Sequence, residues 1–128
     1  MHKMTQQNLQ SAFAGESQAH MRYLIFAEVA EKEGMLNVAR LFRTIAYAEH
    51  VHAQNHLREL AGIGKTLENL DTAIAGETFE IDEMYPAYNE VAKLQKESGA
   101  QKSMHYALEA APEFCPVCRV KKDAFKEF

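Results

Sequence analysis

Helix breakers are scarce in this 128-residue chain, with only six glycines and three prolines. β-branched residues are few as well, so long helices are expected rather than strands. The two cysteines, in Cys115-Pro116-Val117-Cys118, are too few for the disulfide framework of a small secreted protein. No apolar run approaches the roughly 20 residues that span a bilayer, and the opening MHKMTQQNLQ is too polar for a signal peptide. A cytoplasmic location and no membrane partner are the expectation. There is no basic tract, and the net charge of −4 argues against a nucleic-acid partner. Hydrophobic residues at 47% and charged residues at 25% are ordinary for a globular domain, which excludes a disordered tail or a collagen-like fibre. The length suits one domain with a small appendage.

Apolar residues recur at helical spacing from the start. Leu9, Phe13, Tyr23, Ala27 and Ala30 fall on one face of a first helix, with Thr5 as its N-cap and Gly34 as its stop. A second helix is expected from about Met35 to Ala61, with Val38, Leu41, Phe42, Ile45, Ala48 and Leu60 inward. A third starts after Gly64, capped by Thr66, places Leu70, Ala73, Ile74, Met84, Tyr88 and Val91 inward, and ends near Gly99. Pro86 interrupts it, which predicts a kink or bulge around Met84-Tyr85-Pro86. A fourth helix from Ala100 loses its pattern by Pro112.

The helices repeat. Ala12-Phe13-Ala14-Gly15-Glu16 recurs as Ala73-Ile74-Ala75-Gly76-Glu77 at an offset of 61, and Glu28-Val29-Ala30 as Glu90-Val91-Ala92 at 62. Two related hairpins, neither able to bury its apolar stripe alone, predict an all-α four-helix bundle whose fourth helix is cut short.

Acidic residues interrupt the apolar faces. Glu16 stays in phase with Phe13 and Tyr23; Glu49 and His52 lie in register with Ile45 and Ala48; Glu77 and Glu80 repeat that spacing beside Ala73 and Ile74. Residues at i and i+3 are surface neighbours able to share an ion. A lone Glu-x-x-His is commonly a solvated pair, and Glu77 with Glu80 alone could be a wet face. Four glutamates converging inward, however, could not all remain ionised without cations. Two divalent ions would cancel their charge, and oxygen-rich coordination suits iron or manganese. His20, His50, His56 and His105 lack such a pattern and are read as surface or packing residues.

The run Ala12-Phe13-Ala14-Gly15-Glu16-Ser17-Gln18-Ala19, the Glu49-His50-Val51-His52 turn, and Ala75-Gly76-Glu77 through Met84-Tyr85-Pro86 resemble the rubrerythrin family. The closing Cys-Pro-Val-Cys and Lys-Lys-Asp-Ala-Phe resemble the end of that family's rubredoxin-like domain. The resemblance implies a ferritin-like domain over 1–111 and an incomplete rubredoxin-like segment over 112–128. It implies a non-haem di-iron peroxidase reducing hydrogen peroxide to water in oxidative-stress defence. Its iron ligands would be Glu16, Glu49, His52, Glu77 and Glu80, with Glu80 exchanging against His52 as the redox state changes. Glu80 would also pass protons, and Tyr23 and Tyr85 would hydrogen-bond the ligand carboxylates or else serve as packing residues. Electrons would come through a Cys-ligated iron, or from a rubredoxin or an NAD(P)H-linked reductase in an NADH-dependent chain.

The pattern then breaks. At an offset of 62, Glu49 is matched by Ala111 and His52 by Phe114, so the second Glu-x-x-His is missing. Glu109, two positions early, points about 200° away. Cys115 and Cys118 supply two of the four thiolates a rubredoxin-type iron needs. One jump after Ala110 explains both losses. It is a stretch missing from the sequence, a true deletion, or the mark of a paralogue that completes its site differently. Three alternatives stay open: a ferroxidase or iron-storage protein, a metal-poor helical dimerisation module, and a homodimer in which two copies of Glu16, Glu49 and His52 meet. Hairpin exchange between chains is compatible with a hinge from Ala61 to Asn69.

Overall fold

A computed structural model of the chain describes residues 1–109. The expected segment 112–128, with Cys115 and Cys118, lies outside the described residues, as do Ala111 and Phe114. The described chain is all-α: α1 Lys3–Lys32, α2 Leu36–Glu59, α3 Thr66–Phe79, a π-helical turn Glu80–Met84, α4 Tyr85–Leu94 and α5 Ser98–Glu109. Among the described residues no helix is long and apolar enough to cross a membrane. Packing divides the chain into two compact units, Met1–Thr66 and the part beginning at Leu67.

The first unit is the hairpin of α1 and α2. Gly34 ends the first helix as expected, at φ +78°, where a residue without Cβ is unstrained. The Gly34 N–H donates to the Glu31 carbonyl and the Met35 N–H to that of Ala30, closing a Schellman turn. Thr5 is not the N-cap; α1 already begins at Lys3, with His2 in the capping position and no side-chain cap. Thr66 likewise is the first residue of α3 rather than its cap.

The buried seam is made of alanines. Ala27 and Ala30 of α1 cluster with Ala39 of α2, and Ala46 and Ala53 continue the buried line along α2 at seven-residue intervals. Small side chains let two helices approach closely, so the line between their axes buries methyl groups and leaves larger residues beside it. Phe42 packs against this seam, with Tyr23 and Phe26 around it at ring-centre distances of 6.2 and 5.6 Å. Val38 and Leu41, expected inward, are instead exposed, Leu41 to 60%. A two-helix unit has only one seam. Across its turn end, the Arg43 guanidinium donates twice to the Glu31 carboxylate, at 2.6 and 3.0 Å.

The second unit rebuilds the same turn. The Lys96 N–H donates to the Lys93 carbonyl and the Glu97 N–H to that of Ala92, each 62 residues after its counterpart. Ala92 is buried like Ala30. Leu70, Tyr88 and Val91, expected inward, are exposed, again because the unit offers few places to hide large side chains. The predicted bulge is present but one turn earlier than Pro86. Its widened turn is closed by the Tyr85 N–H donating to the Glu80 carbonyl, an i to i+5 bond. The repeat explains the position: the offset is 61 at Glu77 and 62 at Glu90, so one extra residue must be absorbed between them. A π-turn holds one residue more than the α-turn it replaces. Pro86 then sits at the start of α4, where a missing N–H is tolerated.

Candidate metal centre

The turn at Gly34 decides which residues of α1 and α2 meet. Glu16 lies 18 residues before it and His52 18 after, so the antiparallel hairpin brings them level. Glu49 is one turn before His52 on the same face. One ligand atom from each of Glu16, Glu49 and His52 lies within 4.8 Å of the others. His52 Nδ1 donates to Glu49 Oε2 at 3.3 Å and stands 3.9 Å from Glu16 Oε1. The Glu49 side chain is 19% exposed, that of Glu16 31% and that of His52 54%. The carboxylates are therefore sheltered while the imidazole reaches outward.

Two carboxylates this close do not both keep a full charge. Glu16 is raised above the ordinary carboxylate value, first by its hydrogen bond to Glu49, then by burial and by the Glu49 charge; His52 and His56 pull it back. Glu49 is lowered, first because it accepts that hydrogen bond from Glu16, then because His52 supports its charge, against burial. The two carboxylates thus lean in opposite directions, Glu16 toward its protonated form and Glu49 toward its charged one. Two carboxylate groups and an imidazole converging on one point fit a divalent ion of iron or manganese type.

The other expected residues sit elsewhere. Glu77 is on the last turns of α3 and exposed; Glu80 opens the π-turn and is half-buried, and Tyr85 opens α4, also half-buried. The structure thus gathers Glu16, Glu49 and His52 within the first unit, while Glu77 and Glu80 share one helical stretch of the second. Tyr23 stacks on Phe42 at 6.2 Å in the aromatic cluster of the hairpin. Two residues assigned no role from the sequence also come together: the His20 and His50 rings lie 5.7 Å apart. Counting outward from Gly34 would have found them, since His20 lies 14 residues before it and His50 16 after.

The chain is similar to known proteins over most of its length. A sequence model of the rubrerythrin family matches residues 7–111. The chain is 38% identical to rubrerythrin-2 of Clostridium acetobutylicum over 178 aligned positions, covering 98% of this chain and 97% of that relative. An alignment of that length on 128 residues leaves at least 50 positions where the relative has a residue and this chain has none. The family match itself stops one residue past Ala110, where the internal repeat fails. Rubrerythrin of Porphyromonas gingivalis is 42% identical over 102 residues, and that of Nitratidesulfovibrio vulgaris 35% over 102. Both alignments cover 70% of this chain, which spans about half the length of those two relatives, 51% and 53%. The repeated hairpins, the carboxylate-histidine triad and these matches agree: the chain belongs to the rubrerythrin family.

Proposed function

We propose that the chain is a non-haem di-iron peroxidase, reducing hydrogen peroxide to two waters with two electrons and two protons. The observation that carries this reading is the convergence of Glu16, Glu49 and His52 within 4.8 Å on a hairpin of this family. These three would hold one iron, and Glu77 with Glu80 would contribute to the second. Bound as ferrous ions, the metals would supply one electron each for breaking the O–O bond.

The chain's own residues manage charge and protons. Glu16 leans toward its protonated form and Glu49 toward its charged one, so metal loading would displace whatever proton Glu16 holds as the cation binds. Glu80, half-buried in the π-turn, would alternate with His52 as a ligand and hand a proton to the departing oxygen. The hydroxyls of Tyr23 and Tyr85 would steady the ligand carboxylates. Reducing equivalents would arrive from an iron held by Cys115 and Cys118 together with two further thiolates, or from a rubredoxin or an NAD(P)H-linked reductase. The working form would be a cytoplasmic homodimer.

Stopped-flow mixing of the anaerobically reduced, iron-loaded protein with peroxide and with dioxygen tests the reading. Faster oxidation by peroxide is expected; a rate with dioxygen as high or higher moves the assignment to a ferroxidase. Ala111 and Phe114, standing where the repeat calls for a second glutamate and histidine, favour one other reading, a metal-poor helical module. Iron below one ion per chain after anaerobic loading would select it.

A further inference from the structure

We infer that His20 and His50 form a second, histidine-only binding site for a divalent ion of zinc type on the α1–α2 hairpin. This site is separate from the carboxylate triad and independent of the peroxide reading. The first observation is a fixed tautomer. His20 Nδ1 lies 2.7 Å from the Ala46 carbonyl oxygen, which only accepts, so Nδ1 carries the proton. In the neutral ring Nε2 is then left with a free lone pair, the arrangement by which a backbone carbonyl orients a metal-binding histidine.

The second observation is the spacing of the rings. Ala46 is one helical turn before His50, so the bond that anchors His20 also sets it beside His50. The ring centres are 5.7 Å apart and the planes are inclined at 48°. Two imidazoles on one ion, at metal–nitrogen distances of about 2.0–2.1 Å, have centres roughly 5–6 Å apart for bond angles from tetrahedral to about 130°. The Tyr47 ring lies beside that of His50, with centres 6.3 Å apart and planes inclined at 29°.

The third observation is room. The rings border a groove of about 390 Å³ lined largely by Phe13, Met21, Ala53 and Leu57, in which the Ser17 hydroxyl, donating to the Phe13 carbonyl, and Gln54 also offer oxygens that could complete an ion's shell. Imidazole donors favour zinc, copper or nickel over the harder ions that suit the triad. One hairpin would thus present two sites of different preference, one turn apart along α1.

Zinc titration of the full-length protein, followed by the imidazole ¹⁵N resonances, tests the assignment. The Nε2 signals of His20 and His50 should move together and saturate together, while His20 Nδ1 keeps its proton. Because each histidine reports its own ring, zinc taken by the cysteines or by the triad is read separately. His52→Gln should leave the paired shift intact. His50→Gln, at an exposed position, should weaken zinc binding at His20 by at least about tenfold; His20→Gln should do the same at His50. The proposal is overturned if only one of the two rings responds, if His20 binds through Nδ1, or if the shifts vanish in His52→Gln.

Discussion

The two hairpins share a backbone and differ in chemistry. Their turns match bond for bond at an offset of 62, from Gly34 to Lys96 and from Ala30 to Ala92. The first packs Ala27 fully out of solvent; at the equivalent place the second has Asn89, whose Oδ1 is buried without a partner among the described residues. The first brings a carboxylate pair and a histidine to one point, whereas the second carries Glu77 and Glu80 on one helical stretch that leads into the turn where the extra residue is absorbed. Backbone geometry is inherited from the spacing of stops and small residues. Ligation depends on single side chains that the spacing does not fix.

The largest expected effect separates the two. If the triad holds an ion by itself, Glu49→Ala lowers metal affinity by at least about 100-fold, the upper end of what loss of a supporting group costs. Glu77→Ala should leave one ion per chain in place. Metal content after equilibrium dialysis of both variants measures this, and equal losses would show that the hairpins hold metal only jointly.

A smaller effect probes the shared turn. Gly34 and Lys96 both have positive φ, +78° and +59°, but only lysine carries a Cβ into that region. Lys96→Gly should therefore stabilise the protein by about 1 kcal/mol, and Gly34→Lys should destabilise it by a similar amount. Urea midpoints at constant slope decide it. A neutral Lys96→Gly would mean that the second turn relaxes in ways the first does not.

These contrasts also show what a sequence exposes. Gly34 was legible because a glycine after a periodic run has one common use, and Glu16, Glu49 and His52 because charge on an apolar stripe demands a reason. The α1 side of the alanine seam, Ala27 and Ala30, was legible; Ala39, Ala46 and Ala53 were not, since alanine fits any face and periodicity counts favour Leu41 and Val38, which the hairpin leaves outside. Pro86 announced a distortion around Met84-Tyr85-Pro86, and the π-turn overlaps that stretch at its end, at Met84 and the Tyr85 N–H. The change of offset from 61 to 62 located the π-turn better, because an extra residue in a helix has to be accommodated whichever side chain is there. The opposed shifts of Glu16 and Glu49 and the His20–His50 contact needed the third dimension, as both join residues more than 25 positions apart.

The smallest effect lies within the first hairpin, where two glutamates respond to pH in opposite directions. Glu31 is held below its ordinary value of 4.5, chiefly by the hydrogen bonds from Arg43 and then by its charge. Its contribution to stability is present above that value and fades as pH falls through the lowered one. Glu16 is raised above 4.5, so its contribution in the metal-free protein is present below 4.5 and fades as pH rises through the raised value. Glu31→Gln should flatten the loss of stability on the acid side. Glu16→Gln should flatten the decline above 4.5 and, keeping a hydrogen-bond donor for Glu49, cost little at low pH. Both groups border solvent, so the changes are small, and 1 M salt should shrink the Glu31 effect most, since screening then acts within about 3 Å. Chelator-treated protein followed by urea denaturation across the acid range gives both curves. If Glu16→Gln alters the profile in the same direction as Glu31→Gln, Glu16 is not raised and the two carboxylates of the triad do not hold each other's charge apart.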